Sequence, residues 1–563
     1  MKRLILTAVL LLQVFIAFSQ KKENLLLSKL SPNTGLIIND SITGLLIHHS
    51  SGDRAIDYVK QISLWDRQQN TKGYHEAVGW IEQKAIEFGL QNVKIEKYAS
   101  DGRTSYFGDT PQPFWIAKKG ELWSSDPYKY KITSYADLPM SLARNSYSIK
   151  ANAQLIDIGS GTIEDYEEKD LKGKIVLTSN HPWRVVKKAV WEKGAIGIIS
   201  YYSIPYWDKT NRLEGDYIDQ VGWGSLPMVE DKNKESFAFM ISERKAKELK
   251  EELKRNKNLK LYVDIETEHK SEDFGIVSGV IKGSKYPDEE IVITSHLDHY
   301  KPGANDNASG SAVSLEIART LNSLIQQNKI SHPLRTIRFL WLPEFTGTKA
   351  WFSRHIKENK KRILNINLDM LGANLKKTDS YFKISYTPDW NASYVNAFSS
   401  SISDFLNQYN NSKYPRRKDF HIISVNGSRN YINASVDAYT RGSDHQIFND
   451  FGIPGIAYST WPDNYYHSSE DTPDKIDPTQ LHRVIFTGLT TIVMSSYADK
   501  KNAFDIINLV EMYGQKRLKN DEFDARKLIL NTMVSDLQNQ AYFSSKVIHY
   551  GYEREKKALE SCL

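Results

Sequence analysis

The sequence predicts an α/β protein whose main domain is a mixed, mostly parallel sheet with helices on both faces. Apolar runs of strand length alternate with helical patterns after Lys270, which is typical of such sheets. The run Ile291–Thr294 has the length of a buried strand, and apolar residues from Ala312 to Leu324 follow it at helical spacing. Residues 120–268 instead show short strands and turns, so they predict a β-rich domain inserted into the first.

Composition excludes several classes of function. A chain of 563 residues has room for two to four domains, and 40% hydrophobic with 25% charged residues is typical of a soluble globular protein. The net charge of +6 is small, and no long Lys/Arg run indicates nucleic-acid binding. Cys562 is the only cysteine, which excludes an internal disulfide, a multi-thiolate metal site and a catalytic Cys/His pair.

The first residues predict an export signal over residues 1–19. Lys2 and Arg3 precede an apolar run from Leu4 to Phe18, and Ala17-Phe-Ser19 resembles a cleavage site. The run is short for a membrane span, although an uncleaved anchor is the alternative. We therefore expect a secreted or periplasmic protein with no membrane attachment once the signal is removed.

The elements before Lys270 divide between two domains. Residues 45–118 predict two helices and a strand that belong to the main domain. Within 120–268 no acids and histidines gather, so a non-catalytic unit is expected there. Its predicted strands are Leu155–Ile158, Gly173–Leu177, Gly194–Ile199 and Leu259–Ile265, and its predicted helices are Ala189–Lys193 and Glu243–Arg255.

The main domain resumes at 269–500, and several of its predicted strands end in polar residues. His296 ends one strand and Asp306 follows in a loop, Glu344 follows Arg335–Leu342, and Asp369 follows Ile363–Leu368. His467 lies in the loop after Gly452–Tyr458. Residues 501–563 predict helices packed on this domain, which form a C-terminal extension.

These polar residues predict a metal site. A single acid after a strand is most often a turn former or a helix cap, but ligands of open parallel sheets bind beyond the carboxyl ends of the strands. Two histidines and several carboxylates, without sulfur, suit a pair of zinc ions roughly 3.5–4 Å apart. Such a pair activates a water and polarises a carbonyl, while a free carboxylate moves the proton.

The motifs resemble those of the M28 family of zinc aminopeptidases, in the family's order, over about residues 270–490. They are His296-Leu-Asp298, Asn305-Asp306-Asn-Ala-Ser-Gly310, Asn367-Leu-Asp369-Met, Ser443-Asp-His445 and Tyr466-His467-Ser-Ser-Glu-Asp-Thr-Pro-Asp-Lys-Ile476. The glycine-bounded strands of 120–268 resemble, more loosely, a protease-associated (PA) domain. The resemblance implies the zinc exopeptidase fold with a PA-like insertion.

The resemblance also implies roles for residues. His296, Asp369 and His467 would be zinc ligands, and Asp306 would bridge two zinc ions. Asp298 would orient His296, and Tyr466 would hydrogen-bond the developing oxyanion.

One departure from the family leaves two alternatives. The family has two adjacent glutamates, a general base and then a ligand, whereas Phe345 follows Glu344 here. Either Glu344 is the base and one zinc lacks a ligand, or Glu344 is a ligand and the base is lost. The first alternative aligns better, because Glu344 directly follows its strand.

We therefore expect a metallo-exopeptidase, an aminopeptidase that hydrolyses a peptide or aminoacyl substrate by attack of zinc-activated water. The alternatives are a one-zinc acyltransferase similar to glutaminyl cyclases and a non-catalytic binding protein of the same fold. Arg441 and Asp444 are candidate contacts for a peptide terminus. His48, His49 and His299 are expected to be solvated loop residues. The sequence does not indicate the preferred side chain, the recognised terminus or the oligomeric state.

Overall fold

Two β-sheets organise the chain in the computed structural model. The structure describes residues 26–562 except 70, 204–216, 412–417 and 531–536. The expected export signal, residues 1–19, lies outside the described residues. The strands, in chain order, are β1 (Gln91–Ser100), β2 (Phe114–Asp126), β3 (Tyr130–Ser134), β4 (Ile149–Asp157), β5 (Ile175–Thr178), β6 (Gly197–Ser200), β7 (Phe237–Met240), β8 (Lys260–Lys270), β9 (Glu272–Ile281), β10 (Tyr286–His296), β11 (Arg335–Leu342), β12 (Arg362–Leu368), β13 (Tyr381–Ser385), β14 (Ala434–Asp437) and β15 (Gly455–Trp461).

Helices connect and cover these strands. They are α1 (Asp40–His49), α2 (Gly52–Ile62), α3 (Lys72–Glu87), α4 (Pro182–Val186), α5 (Glu243–Arg255), α6 (Gly310–Gln326), α7 (Thr346–His355), α8 (Leu375–Thr378), α9 (Val395–Asn410), α10 (His445–Asp450), α11 (Pro478–Ser496), α12 (Ala503–Leu530) and α13 (Leu537–Glu560). None of the described helices has the length and apolar character that a membrane crossing requires.

The first sheet has eight strands in the order β1-β9-β11-β10-β12-β15-β13-β14. Its central strands β11, β10, β12 and β15 are parallel neighbours, while β1, β9 and β13 add antiparallel pairings. Every residue from Ile291 to His296 in β10 is buried, because helices cover both faces of a parallel sheet. The predicted mixed, mostly parallel α/β fold is therefore confirmed.

The second sheet has seven strands in the order β3-β2-β8-β4-β5-β6-β7, all between Phe114 and Lys270. It has its own hydrophobic clusters, one around Trp115, Leu177 and Phe239 and another around Val176 and Ile198. The stretch 114–134, where sequence periodicity was too weak to predict strands, forms β2 and β3. The second sheet therefore lies within one continuous segment that interrupts the first.

The C-terminal residues form the long helices α12 and α13, which pack on each other and on α9. Arg517 of α12 pairs with Glu555 of α13 at 2.6 Å. Tyr513 donates its hydroxyl to Asp404 of α9 at 2.9 Å, and the Ser561 hydroxyl accepts the backbone N–H of Tyr394. Within the described part of this segment, residues 503–530 and 537–560 are thus helical, and α12 packs on α9 of the first domain.

Candidate metal centre

The candidate site lies where four parallel strands end at one edge of the first sheet. His296 is the last residue of β10, and Asp369 directly follows β12. Glu344 comes two residues after β11, and His467 lies in the loop after β15. Because β11, β10, β12 and β15 are parallel neighbours, their carboxyl ends bring these side chains together.

Asp306 is the centre of the site, since each of its carboxylate oxygens faces a different group of side chains. Oδ1 lies 3.1 Å from Nε2 of His296. Oδ2 lies 3.0 Å from Nε2 of His467 and 3.4 Å from Nε2 of His299. The side chain is 6% exposed. A carboxylate with this placement is suited to bridge two cations.

Two groups of potential ligand atoms result within the described residues. His296, Glu344 and Asp369 form the first, and His299, Asp306 and His467 form the second, with the atoms of each group within 4.8 Å of one another. His296 Nε2 is also 3.2 Å from Asp369 Oδ1. Bonds of about 2.0–2.2 Å around a tetrahedral zinc ion place ligand atoms roughly 3.3–3.6 Å apart, so the spacing and the nitrogen and oxygen donors both fit zinc.

The loop that carries Asp306 is held from behind by buried polar contacts. The Asp471 carboxylate accepts the backbone N–H groups of Asn305 at 2.7 Å and of Asp306 at 3.0 Å. The Asn307 amide donates to the backbone carbonyls of His296 and Leu368, which ties this loop to the ends of β10 and β12. Asp471 belongs to a motif quoted from the sequence, but its role was not predicted.

Asp298 connects His296 to Glu344. Nδ1 of His296 lies 3.0 Å from the Asp298 backbone carbonyl and 3.5 Å from its carboxylate, so the backbone makes the closer contact. The same carboxylate accepts the Glu344 backbone N–H at 2.8 Å. The structure therefore places Asp298 where it orients two residues, whereas the sequence had suggested only His296.

The charges in the site shift its ionisation equilibria. Burial raises the pKa of Glu344 well above the ordinary carboxyl value. Burial opposes the charged form of His296, but Asp369 and Glu344 raise its pKa well above the usual range. Burial also opposes ionisation of Asp306, yet the histidines around it hold its pKa well below the usual range. Closely spaced buried carboxylates of this kind favour a cation among them.

His299 corrects an expectation. Its side chain is only 8% exposed and its Nε2 faces Asp306, so it is not a solvated loop residue. The ring also lies 5.4 Å from the ring of His467, centroid to centroid. His48, in contrast, is exposed, and His49 is partly exposed and contacts Lys329. The sequence signal that could have identified His299 was the missing second acid at Phe345 together with a histidine three residues after His296.

The two predicted contacts for a peptide terminus, Asp444 and Arg441, are engaged with other residues of the protein. Asp444 is fully buried, and its Oδ1 accepts the Phe345 backbone N–H at 2.8 Å and the Thr348 hydroxyl at 2.6 Å. This corrects its assignment as a substrate contact, because it holds the start of α7 instead. Arg441 is exposed and is engaged with Asp450 at 2.7 Å.

Tyr466 and an unpredicted tryptophan line the site. The Tyr466 ring stacks on His467 at a centroid distance of 3.5 Å, and burial raises its pKa well above the ordinary phenol value. Trp223 comes from the segment between β6 and β7 and stacks on Tyr300 at 5.3 Å. It also lies 5.3 Å from His467. The inserted segment therefore adds a wall to the site without adding a candidate ligand from its described residues.

The fold and the paired clusters define an α/β protein with a candidate metal centre at the carboxyl edge of its sheet. Residues 277–492 match the model of peptidase family M28. Aminopeptidase YwaD of Bacillus subtilis is 27% identical over 316 residues, which are 52% of this chain and 60% of the relative. The match thus spans little more than half of that relative's length.

Two solved structures share the fold. A peptidase M28 precursor from Shewanella amazonensis superposes with a TM-score of 0.58 at 19% identity and covers 82% of this chain and 98% of its own. BSAP, a zinc aminopeptidase from Bacillus subtilis, superposes with a TM-score of 0.55 at 20% identity and covers 79% of this chain and 95% of its own. At these identities the likeness concerns the fold.

Proposed function

We propose that the chain is a zinc-dependent aminopeptidase that holds two zinc ions at the Asp306 centre. The observation that carries this proposal is the Asp306 carboxylate, whose two oxygens face two separate sets of nitrogen and oxygen ligands. His296 and Asp369 would hold one ion, His467 would hold the other, and Asp306 would bridge them. The names of relatives such as aminopeptidase YwaD support the choice of activity.

Zinc bound here would lower the pKa of a water and polarise the scissile carbonyl. Glu344 takes the proton of the attacking water and passes it to the leaving amine, so one peptide bond and one water become a carboxylate and an amine. The Tyr466 hydroxyl donates a hydrogen bond to the oxygen of the carbonyl as negative charge develops on it. Asp298 keeps His296 and Glu344 in place through the contacts described above.

A cleft lined by Thr346 is a candidate site for a peptide substrate. It has a volume of about 470 Å³ and lies between the first sheet's domain and the inserted segment. Thr346, two residues after Glu344, lines it, as do Asp109, Arg144 and Trp183. Because Thr346 begins the helix that follows Glu344, this cleft is the candidate path for the part of a peptide that extends away from the scissile bond.

The test of this proposal measures the zinc content of the purified protein and its cleavage of a panel of substrates. The purified protein should contain two tightly held zinc ions and cleave aminoacyl anilides and free-amine peptides, but not peptides acetylated at the amino end. Asp306→Ala should lose more zinc than any other single substitution, because the bridging carboxylate serves both ions. Asp450→Ala removes a carboxylate in an exposed ion pair and should keep both zinc ions and full activity.

Other outcomes would contradict the proposal. One zinc with cyclisation of an amino-terminal residue would indicate the acyltransferase alternative. A protein that binds no zinc and cleaves nothing would indicate the non-catalytic alternative. An Asp306→Ala variant with full metal and activity would show that the bridging role is wrong.

A further inference from the structure

We infer that His299 is a zinc ligand. It completes the second metal site in place of an acidic ligand at position 345, which is a phenylalanine in this chain. This inference rests on the proposed function, because it concerns the same pair of ions. It assigns a role to a residue that the motif resemblance does not include.

The ring of His299 has a free nitrogen that points into the site. Its Nδ1 lies 2.9 Å from the backbone carbonyl of Tyr300, so Nδ1 carries the proton and donates it there. In the neutral ring Nε2 then holds a lone pair, and this atom is buried and makes no hydrogen bond. A histidine that binds a metal characteristically donates its other ring N–H to a carbonyl or carboxylate. A buried ring nitrogen without a hydrogen bond requires an explanation, and a metal ion supplies it.

The neighbours of Nε2 are the other ligands of the second site. Asp306 Oδ2 is 3.4 Å away, and that oxygen is in turn 3.0 Å from His467 Nε2. Two imidazoles and one carboxylate oxygen give three protein ligands, which is the number that catalytic zinc sites use while leaving a position open for water or substrate.

The loop is built to hold His299 in this position. Arg67 is fully buried and donates hydrogen bonds to the carbonyls of Leu297, Pro302 and Gly303, on both sides of the histidine. The His299 backbone N–H donates to the Arg67 carbonyl at 3.0 Å. A side chain at Gly303, which has φ +52°, would place its Cβ 2.5 Å from His299 Nδ1, so glycine is needed for this approach.

Phe345 offers no ligand atom to the metal site. Its side chain packs against the main hydrophobic core. Its backbone has φ +54°, a strained value for a residue other than glycine, and Asp444 accepts its N–H. With His299 as the third ligand of one ion, and His296, Asp306 and Asp369 serving the other, neither site needs Glu344. Glu344 is then available to accept and donate the proton during hydrolysis.

Zinc stoichiometry at buffered free zinc tests the inference without reference to activity. Wild type should hold two ions, and His299→Ala should hold one at a free zinc concentration that saturates both wild-type sites, with at least a tenfold loss of affinity for the second ion. Cobalt titration followed by visible absorption should lose one of its two steps. His48→Ala, which removes an exposed histidine, is the matched control and should hold two ions.

A zinc-edge crystal structure of the wild-type holoprotein makes the test independent of variant folding. It should place one ion about 2.1 Å from His299 Nε2. A distance beyond 3 Å, or a His299→Ala variant that holds two zinc ions with wild-type affinity, would overturn the inference while leaving the proposed function intact. A wild-type protein that binds fewer than two zinc ions would instead contradict the proposed function.

Discussion

Glu344 is held through its own backbone and that of its neighbour rather than through its carboxylate. Asp298 accepts the Glu344 N–H, and Asp444 accepts the N–H of Phe345. The turn at Phe345 is tight, with the Thr346 N–H donating to the Glu344 carbonyl. Because both acids contact the backbone, the carboxylate of Glu344 is left to face His296 and Asp369.

Substitution of Glu344 separates the two roles that the sequence left open. If Glu344 accepts the proton, Glu344→Gln should keep both zinc ions while turnover falls on the order of a hundredfold or more, since an amide cannot take up a proton. Turnover of an aminoacyl anilide and zinc content should be measured on the same sample.

The control for this change is Glu358→Gln, which alters a carboxylate that is about half exposed beyond α7. It should leave both readings unchanged. A Glu344→Gln protein that loses zinc would identify Glu344 as a ligand, and one with unchanged turnover would rule out the proton transfer described above.

Among individual residues, the sequence predicted the site positions of those that lie at the ends of strands. His296, Glu344 and Asp369 each end or follow a strand, so alternation of elements was enough to bring them together. His299 could not be placed in the same way. Its burial depends on Arg67, which is more than 200 residues earlier in the chain, and on the close approach of Gly303. Neither leaves a local sequence pattern.

Among the elements, α7 has a particular position because it begins directly after the turn that carries Glu344. Its last residue, His355, lies 2.8 Å from the carboxylate of Glu96 on β1, and that glutamate is 8% exposed. Burial opposes ionisation of Glu96, but the hydrogen bond and charge of His355, with Lys94 nearby, lower its pKa to about 2. The pair therefore ties the helix after the site to the edge of the sheet.

This pair predicts a pH dependence of stability. A carboxyl pKa that is lower in the folded than in the unfolded protein stabilises the fold above the unfolded pKa, near 4.5, and the stabilisation is lost as pH falls toward 2. Glu96→Gln should cost on the order of 1–3 kcal/mol in the free energy of unfolding at pH 6, and the difference from wild type should shrink by pH 3. Urea unfolding at several pH values measures it.

Glu87→Gln provides the comparison, because Glu87 forms an exposed pair with Lys84 on α3. Exposed pairs contribute little, so this variant should track wild type at every pH. A Glu96→Gln deficit that is the same at pH 6 and pH 3 would show that packing rather than charge is responsible.

The elements themselves were predicted best where a single pattern decides them. The strand Arg335–Leu342 and the helix Glu243–Arg255 have the predicted bounds, since an apolar run or a charged amphipathic repeat was uninterrupted in each. β2 and β3 were missed. Their aromatic and polar residues include both buried and partly exposed positions. The sequence of these strands therefore shows neither a regular apolar–polar alternation nor an apolar run.

For the whole molecule, the main question is how the inserted segment relates to the metal centre. The segment before β7 runs beside the loop of His467, where the Ser469 N–H donates to the Val221 carbonyl at 2.9 Å and Gly222 pairs with Ser468. Trp223 then places its ring against His467 and Tyr300. The two parts of the molecule are therefore joined at the site, and the insertion forms one side of the space in which a substrate would lie.

This arrangement predicts that Trp223 contributes to substrate binding rather than to zinc binding. Trp223→Ala should keep two zinc ions but raise KM for peptides of three or more residues by about tenfold, because removal of a large aromatic wall typically costs 1–3 kcal/mol of contact. Aminoacyl anilides, which extend less far from the scissile bond, should be affected less, and Trp223→Phe should restore much of the loss.

Trp191→Ala is the matched control, since that tryptophan packs on a core of the inserted unit and donates to the Lys234 carbonyl. Steady-state kinetics on a length series of peptides, with zinc content and thermal unfolding recorded for each variant, gives the comparison. Equal losses for Trp223→Ala and Trp191→Ala would trace the effect to stability of the insertion, and a loss of zinc from Trp223→Ala alone would show that the wall supports His467 instead of the substrate.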